Sequence, residues 1–301
     1  VDWQKQHKTY RPKVTKDTTD EQLFTILCDM LKPLKDGHVN LKAKGLGAKK
    51  KSFNSEDTPR FFKEFNTGKL EKQFGAMVLK TLKDKGFGEQ KEATKLLVYS
   101  RSKDYGYLLI TEFEGVSKRN LEKGLDKALS EMKGIKGLIV DIRLNPGGTD
   151  QCVYQITSRF ADKKRVGHHR KTKNGPGEDD FGELKMRHLT PAQDTFTGPT
   201  VLLTHDASFS AADVFAMLMA DLPHVTIIGE PTNGIFSNML EKKLPNGWKY
   251  TLSHQVYYSS DKTCYEGKGI PVDIKLLNKR TDLEKGIDPL IIKALEILSA
   301  N

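Results

Sequence analysis

Residues 201–213 run Val201-Leu202-Leu203-Thr204-His205-Asp206-Ala207-Ser208-Phe209-Ser210-Ala211-Ala212-Asp213 and then continue into the apolar segment 214–219. The pattern predicts a buried strand, a tight connection and the start of a helix, with Ser210 at the junction. A helix N-terminus has unpaired N–H groups and carries the positive end of the helix dipole. A serine hydroxyl there is placed to attack a carbonyl group while the neighbouring N–H groups stabilise the oxyanion.

The same strand-and-helix alternation continues on both sides of this junction from about residue 95. Alternating elements of this kind predict an α/β domain. We predict strands at 96–99, 107–111, 137–142, 225–228 and 255–258, and helices at 121–132, 152–160 and 290–298. Residues 161–198 are polar and are expected to form an excursion at the rim, and Pro245-Asn246-Gly247 predicts a hairpin turn.

The first 94 residues have a mainly helical pattern. Residues 18–35 repeat apolar side chains at three- and four-residue intervals, and Thr18 with Glu21 fits a capping box. Asp36-Gly37 ends this helix, and His38 follows directly. We therefore predict a helical N-terminal segment, 1–94, which carries His38, and an α/β core, 95–301.

Composition excludes several classes of protein. The chain has 301 residues, of which 37% are hydrophobic and 29% charged, and no apolar run approaches the roughly 18–20 residues that span a bilayer. The net charge of +10 is spread widely along the chain, and its densest clusters are Lys49-Lys50-Lys51 and Lys163-Lys164-Arg165, with His168-His169-Arg170-Lys171 beyond. No aromatic residues interleave these clusters, so we expect solvated loop charge and no nucleic-acid partner. Three widely spaced cysteines argue against a disulfide framework.

A nucleophilic serine needs a base and a site for the oxyanion. Among the histidines, His38 is distinctive because a ring after a glycine turn can project into a groove, whereas His205 is expected to be a loop or packing residue. The turn Asn145-Pro146-Gly147-Gly148 could present bare N–H groups to a carbonyl, or could need glycine only for its backbone conformation. An acid at Glu266 could orient a histidine base, or could simply be solvated.

Five motifs, taken in order, resemble those of the S41 serine peptidases, which include the C-terminal processing proteases and the tricorn core peptidase. The motifs are Asp36–Val39, Gly137–Gly148, Ser208–Asp213, Ile228–Gly234 and Glu266–Asp273. The resemblance implies a crotonase-like (ClpP-like) core preceded by a mainly helical segment. It also implies a nucleophile at Ser210, and oxyanion donors at Gly147, Gly148 and Ala211. The loop Thr232-Asn233-Gly234 is then expected to contact the substrate.

The resemblance favours the tricorn-like branch of the family. Processing proteases use a lysine base just after the Gly-x-x-Thr-x-Gly loop, and Ile235 stands there in this chain. The tricorn-like branch instead uses a histidine after the N-terminal helix and a late glutamate, which match His38 and Glu266. Gly37 replaces the serine that precedes the tricorn histidine, so contact of Glu266 with His38, direct or through water, is left open. The helical interval after His38 also argues against a PDZ domain.

We therefore expect a serine endopeptidase or oligopeptidase that acts on peptides or unfolded proteins and needs no metal or organic cofactor. The alternative is a non-catalytic binding protein on the same scaffold, because the family includes carriers of apolar ligands. Retention of Ser210, His38 and Glu266 together favours the enzyme. The start, Val1-Asp2-Trp3-Gln4, has no signal-peptide pattern, which fits either a cytoplasmic protein or the loss of an earlier export signal. The resemblance implies the bacterial cell envelope or secretion.

Overall fold

The structure is a computed structural model that describes residues 1–46, 51–65 and 68–300. The chain divides into two compact units. The small unit comprises Val1–Thr58, Thr172–Gly182 and Ser237–Val256, and the core unit comprises Pro59–Lys171, Glu183–Phe236 and Tyr257–Asn301. The chain thus leaves each unit and returns to it, and the predicted single division between residues 94 and 95 differs from this interleaved arrangement.

The elements follow one another in chain order. The α-helices of the described residues are α1 (Trp3–Tyr10), α2 (Asp20–Leu31), α3 (Arg60–Glu64), α4 (Gly68–Asp84), α5 (Lys118–Glu131), α6 (Asp150–Thr157), α7 (Ala211–Ala220), α8 (Arg280–Lys285) and α9 (Pro289–Ala300). The strands are β1 (Asn40–Ala43), β2 (Lys51–Asn54), β3 (Lys91–Thr94), β4 (Leu97–Arg101), β5 (Tyr105–Ile110), β6 (Gly137–Asp141), β7 (Arg165–Thr172), β8 (Lys185–Leu189), β9 (Thr200–Thr204), β10 (Val225–Gly229), β11 (Met239–Lys243), β12 (Lys249–Ser253), β13 (Gln255–Tyr258) and β14 (Ile274–Lys275).

The core unit is built on a seven-stranded sheet in the order β14-β10-β9-β6-β5-β4-β3. Strands β14 to β5 of that order pair in parallel, and β4 and β3 add antiparallel partners. Both faces are covered: Leu138 and Leu202 pack into one apolar cluster with α5, α6 and α7, whereas Ile139 and Val201 pack into another with α4 and α9. Alternate residues therefore point to opposite buried faces, as expected for parallel strands. The predicted α/β class is confirmed.

The small unit combines α1 and α2 with an antiparallel sheet in the order β11-β12-β1-β2. Its apolar cluster contains Leu31 at the end of α2, Val39 and Leu41 around β1, and Trp248 before β12. Trp248 stands beside the predicted hairpin turn, where Leu244 and Trp248 are joined by a backbone hydrogen bond. The unit therefore contains as much sheet as helix, which the apolar periodicity of the first 94 residues did not indicate.

Two local predictions need correction. Helix α2 is capped by Thr19, whose side chain and that of Gln22 form the capping box, instead of Thr18 and Glu21. The segment 161–198 contains strands β7 and β8, which belong to a three-stranded sheet in the order β13-β7-β8. Its polar residues masked the strand pattern. Within the described ranges, no helix combines the length and the apolar character that crossing a membrane requires.

Candidate active site

Ser210 occupies a strained position at the end of the β9 connection. Its φ of 63° and ψ of −119° lie in a region that residues other than glycine rarely adopt, and its hydroxyl does not cap α7. The preceding residues hold this conformation: the hydroxyl of Ser208 donates to the carbonyl of Ile142 at 2.8 Å, and the N–H of Phe209 donates to the carbonyl of Asn145 at 3.3 Å. The hydroxyl of Ser210 is thus left available for chemistry at the helix N-terminus.

The turn after β6 lies directly against Ser210. A Cβ atom on Gly147 would stand 2.6 Å from Cβ of Ser210 and 2.9 Å from the backbone nitrogen of Ala211, so only glycine permits this approach. Asn145 anchors the turn, because its Nδ2 donates to the carbonyl of Ile110 at 2.8 Å and its Oδ1 accepts from the N–H of Gly147 at 2.9 Å. The N–H of Gly147 is therefore already engaged.

The N–H groups of Gly148 and Ala211 differ from that of Gly147, because they donate no hydrogen bond to another described residue. Gly148 is pinned by its neighbours: Thr149 donates to the carbonyl of Phe113, and Phe113 donates to the carbonyl of Gly147. A Cβ on Gly148 would lie 2.4 Å from the backbone of Phe113. Two rigidly held donors are what an oxyanion hole needs.

Asp213 is a buried acid that anchors the predicted substrate loop, and the sequence analysis did not single it out. It is fully buried in the first turn of α7, and its carboxylate accepts from the N–H groups of Gly234 at 2.7 Å and Ile235 at 3.2 Å. The backbone of Ser210 and the side chain of Thr232 also hydrogen-bond to it. Burial raises its pKa to about 7, and these four donors oppose the rise. The only signal in the sequence is one acid within an otherwise apolar helix.

The predicted substrate loop is extensively bonded to its surroundings. Thr232 is buried and its Oγ1 accepts from the N–H of Ile270 at 2.8 Å. Asn233 donates from its backbone to the carbonyl of Ser208 at 2.9 Å and from Nδ2 to that of Asp206 at 3.0 Å. Asn233 therefore links this loop to the connection that precedes Ser210, whereas Thr232 and Gly234 link it to Asp213 in helix α7.

Glu266 lies in the next loop of the core unit. Its Oε2 accepts from the N–H of Phe236 at 3.3 Å, and Gly267 donates to the carbonyl of Gly234 at 2.7 Å. A Cβ on Gly269 would stand 1.9 Å from the carbonyl oxygen of Thr232, so the two loops pack backbone against backbone. The loop of Glu266 is therefore fixed to the loop that Asp213 holds.

His38 belongs to the small unit, whereas Ser210 and Glu266 belong to the core unit. The His38 turn is anchored through its backbone: its N–H donates to Oδ1 of Asp36 at 2.7 Å, and its carbonyl accepts from Thr251 at 2.6 Å. The residue is 8% exposed, and Nδ1 of its ring has no hydrogen-bond partner among the described residues. Burial lowers the pKa of His38, opposed by the Asp36 carboxylate and the Ser237 backbone, so the neutral, proton-accepting form is favoured.

Two further sequence interpretations concern the positions near Ser210. His205 is a packing residue, as predicted: its ring stacks on that of Phe61 at 4.2 Å, and burial together with Arg143 and Arg60 lowers its pKa well below the usual value. Ile235 is buried. Among the described residues, no group of three or more His, Cys, Asp or Glu side chains is arranged to hold a metal ion.

The basic clusters have different environments. Lys49 and Lys50 lie outside the described residues. In the second cluster, the expectation of solvated loop charge is wrong for His168 and His169, which are buried on β7. Arg170 donates to the hydroxyl of Tyr257 at 3.0 Å. The polar character of this strand thus reflects an internal network.

Comparisons with known proteins find similar sequences among the peptidases. The family model described as Peptidase family S41 matches residues 104–276. The chain is 31% identical over 180 residues to the carboxy-terminal processing protease CtpA of Bacillus subtilis, a match that covers 59% of this chain and 36% of that protein. It is 27% identical over 198 residues to the carboxy-terminal-processing protease of Bartonella bacilliformis, with coverage of 64% and 44%. The chain spans less than half the length of these two relatives.

Solved structures extend the likeness to the whole chain. A candidate peptidase from Parabacteroides merdae has a TM-score of 0.81 and 28% sequence identity, with 99% of this chain and 89% of that chain covered. A lipoprotein from Streptococcus agalactiae has a TM-score of 0.57 at 14% identity, with 99% and 88% covered, which shows a shared fold alone.

Proposed function

The chain belongs to peptidase family S41, and we propose that it is a serine peptidase that hydrolyses peptide bonds through Ser210. The observation that carries the proposal is the backbone of Ser210, which adopts a strained positive φ at a helix N-terminus and leaves its hydroxyl outside the helix cap. Strain of this kind costs about 1–3 kcal/mol and persists where the surrounding structure enforces it. A purely structural serine at this position would more simply cap the helix.

In the proposed reaction, Ser210 Oγ attacks the peptide carbonyl carbon and loses its proton to the base. The N–H groups of Gly148 and Ala211 donate to the resulting oxyanion. Collapse of the tetrahedral intermediate breaks the C–N bond, and the base returns the proton to the leaving amine. A water molecule then attacks the acyl-enzyme with the help of the same base, and the acyl group is released from Ser210. We assign Gly147 to the close approach between the two backbones, because its own N–H is held by Asn145.

We propose His38 as the base and Glu266 as the residue that orients it. The neutral state of His38 at pH 7, which follows from its lowered pKa, supports the assignment, as does the absence of a partner for Nδ1 among the described residues. Ile235 supports it too, because the position after the loop has no amine to serve as a base. Substrate contact by residues 232–234 stays a prediction, and their hydrogen bonds support a role in holding the loop.

The proposed fold of the core unit is crotonase-like (ClpP-like), which the consecutive parallel pairs and the two covered faces of its sheet support. The proposed substrates are peptides or unfolded proteins, and the proposed compartment is the bacterial envelope or the secreted space. The proposed substrates and the proposed compartment both follow from membership of family S41.

Hydrolysis of casein and of a quenched peptide library tests this function. We expect Ser210→Ala to lower kcat/KM by about 10⁴-fold or more and His38→Ala by several orders of magnitude. His205→Gln is the matched control, because it changes a buried histidine assigned to packing, and its loss of activity should follow its loss of folded protein. A protein that binds a lipophile or peptide tightly and cleaves nothing would instead be a binding member of the family.

A further inference from the structure

A partly buried polar cluster lies beside the proposed oxyanion turn. Oδ2 of Asp150 accepts from the hydroxyl of Tyr257 at 2.9 Å and stands 3.5 Å from Nη1 of Arg170 and 4.0 Å from Nη1 of Arg187. The guanidinium of Arg187 lies 3.7 Å from the ring centroid of Tyr154. All of these residues belong to the core unit.

The cluster carries an excess positive charge. Asp150 supplies one negative charge and the two arginines supply two positive charges. His168, whose Nδ1 is 2.8 Å from the hydroxyl of Tyr154, is neutral because burial and the adjacent arginines lower its pKa to about 3. Burial raises the pKa of Tyr257 well above its usual value, so that hydroxyl stays protonated. One guanidinium therefore lacks a full counter-charge.

The side chains of both arginines are partly exposed to solvent. The side chain of Arg170 is 31% exposed and that of Arg187 is 42% exposed, whereas Tyr257 and His168 are buried. Arginine presents five N–H donors in a planar fork that matches a carboxylate, and stacking on Tyr154 fixes the plane of Arg187. A fixed, partly exposed fork with surplus charge is suited to bind an anionic group.

The cluster lies at the same sheet edge as Ser210. Helices α6 and α7 pack against each other and begin after the neighbouring parallel strands β6 and β9, and Asp150 is the first residue of α6. Asp150 is three positions after Gly147, so their Cα atoms are at most about 11 Å apart. Because an extended peptide advances about 3.3–3.6 Å per residue, the cluster would meet a group within roughly four residues of the bond that Ser210 attacks.

We propose that Arg170 and Arg187 form a subsite that binds a carboxylate of the peptide substrate, and that this subsite makes the enzyme selective for acidic peptides. The proposal rests on the proposed peptidase function. The carboxylate could belong to an aspartate or glutamate side chain or to the C-terminus of the peptide, since the arginine fork recognises the same chemical group in each.

Paired quenched peptides separate these sources. One set compares Asp or Glu with Asn or Gln at each position up to four residues from the cleaved bond, on both sides. The other set ends in a free carboxylate or an amide at those distances. We expect the acidic member of at least one pair to have a kcat/KM about tenfold to a hundredfold higher, as for charge-assisted hydrogen bonds. The set that shows the preference identifies the source.

Arg187→Gln should reduce this acid-to-neutral ratio to about 2 or below, and Arg187→Glu should invert it in favour of lysine-containing peptides. Arg187→Lys keeps the charge but loses the planar fork, so an intermediate ratio is expected. Lys185→Gln, an equal charge change on the same strand, is the matched control and should leave the ratio as it is. Because each readout is a ratio, partial loss of folded enzyme does not affect it.

Equal cleavage of acidic and neutral peptides would overturn the subsite while leaving the peptidase function intact. The same loss of preference in Arg187→Gln and Lys185→Gln would also overturn it, since long-range charge would then be the cause. Failure to cleave any peptide, or cleavage that persists in Ser210→Ala, would overturn both proposals together.

Discussion

Helices α6 and α7 begin at the same edge of the same sheet, yet their N-termini are built differently. Thr149 precedes α6 with a φ of −114°, and its hydroxyl accepts from the N–H of Cys152 at 3.3 Å. Ser210 precedes α7 with a φ of 63°, and its hydroxyl caps nothing. The first arrangement is the one that stabilises helices, with a cap worth about 1 kcal/mol. The second arrangement lacks this stabilising cap.

The difference shows how the site is made from ordinary elements. The uncapped start of α7 leaves the Ser210 hydroxyl and the N–H of Ala211 available, and neighbouring groups supply the lost order. The Asp213 carboxylate accepts hydrogen bonds from three backbone N–H groups. Gly147 packs against Ser210 with no side chain between the two backbones. The core unit thus stabilises one helix locally and holds the other through tertiary contacts. Three sets of variants test this contrast.

The largest effect is expected from Gly147→Ala. Its Cβ would stand 2.6 Å from that of Ser210, so the Ser210 backbone or the turn must move away from the oxyanion geometry. We expect a loss of about 10²–10³ in kcat, comparable to removal of one oxyanion donor. Gly86→Ala is the matched control: Gly86 also has a positive φ, of 79°, but nothing lies within 4 Å of its Cβ position. Equal kinetic losses in both variants would refute the close-approach role.

The pH dependence of the unfolding free energy tests the protonation states of the buried groups His168, His205 and Asp213. His168 and His205 have lowered pKa values, so below pH 6.5 the unfolded chain binds protons that the folded chain does not. Each contributes a loss of about 1.4 kcal/mol per pH unit as the pH falls from 6.5 toward their folded pKa values. Asp213 acts oppositely: its folded pKa is about 7, so between pH 7 and 3.8 the folded chain binds the extra proton and stability rises as the pH falls.

Asp213→Asn should therefore steepen the loss of unfolding free energy between pH 6.5 and 4.5 by about 1.4 kcal/mol per pH unit. His168→Gln should make it shallower by a similar amount. Urea unfolding at a series of pH values measures both slopes. If Asp213→Asn leaves the slope as in the wild type, Asp213 is ionised throughout this range in the fold.

The smallest effect concerns the helix starts themselves. Ser210→Gly should raise the unfolding free energy by about 1 kcal/mol relative to Ser210→Ala, because only glycine relieves the positive φ. Thr149→Ala should lower it by about 1 kcal/mol through loss of the cap. Thermal or urea unfolding of the variants at one pH gives the comparison. A more stable Ser210→Ala than Ser210→Gly would show that the Ser210 backbone is unstrained.

Much of the core unit follows from the sequence, because its strands are continuous apolar runs and its helices carry periodic apolar faces. The junction at Ser210 and the glycine turn at 145–148 were predictable from local chemistry. The role of Asp213 was not, because its partners Gly234 and Ile235 are about twenty positions away and meet it only in the fold. Strand β7 was missed because His168 and His169 are buried by a polar network that no local pattern reveals.

The central claim, that the strained serine at the start of α7 is a nucleophile, is tested most directly by covalent labelling. The folded protein is treated with a fluorophosphonate, and the adduct is located by peptide mapping and mass spectrometry. We predict one adduct on Ser210 that is absent from Ser210→Ala and greatly slowed in His38→Ala. An adduct that persists in Ser210→Ala, or a wild-type protein that stays unlabelled, would contradict the account.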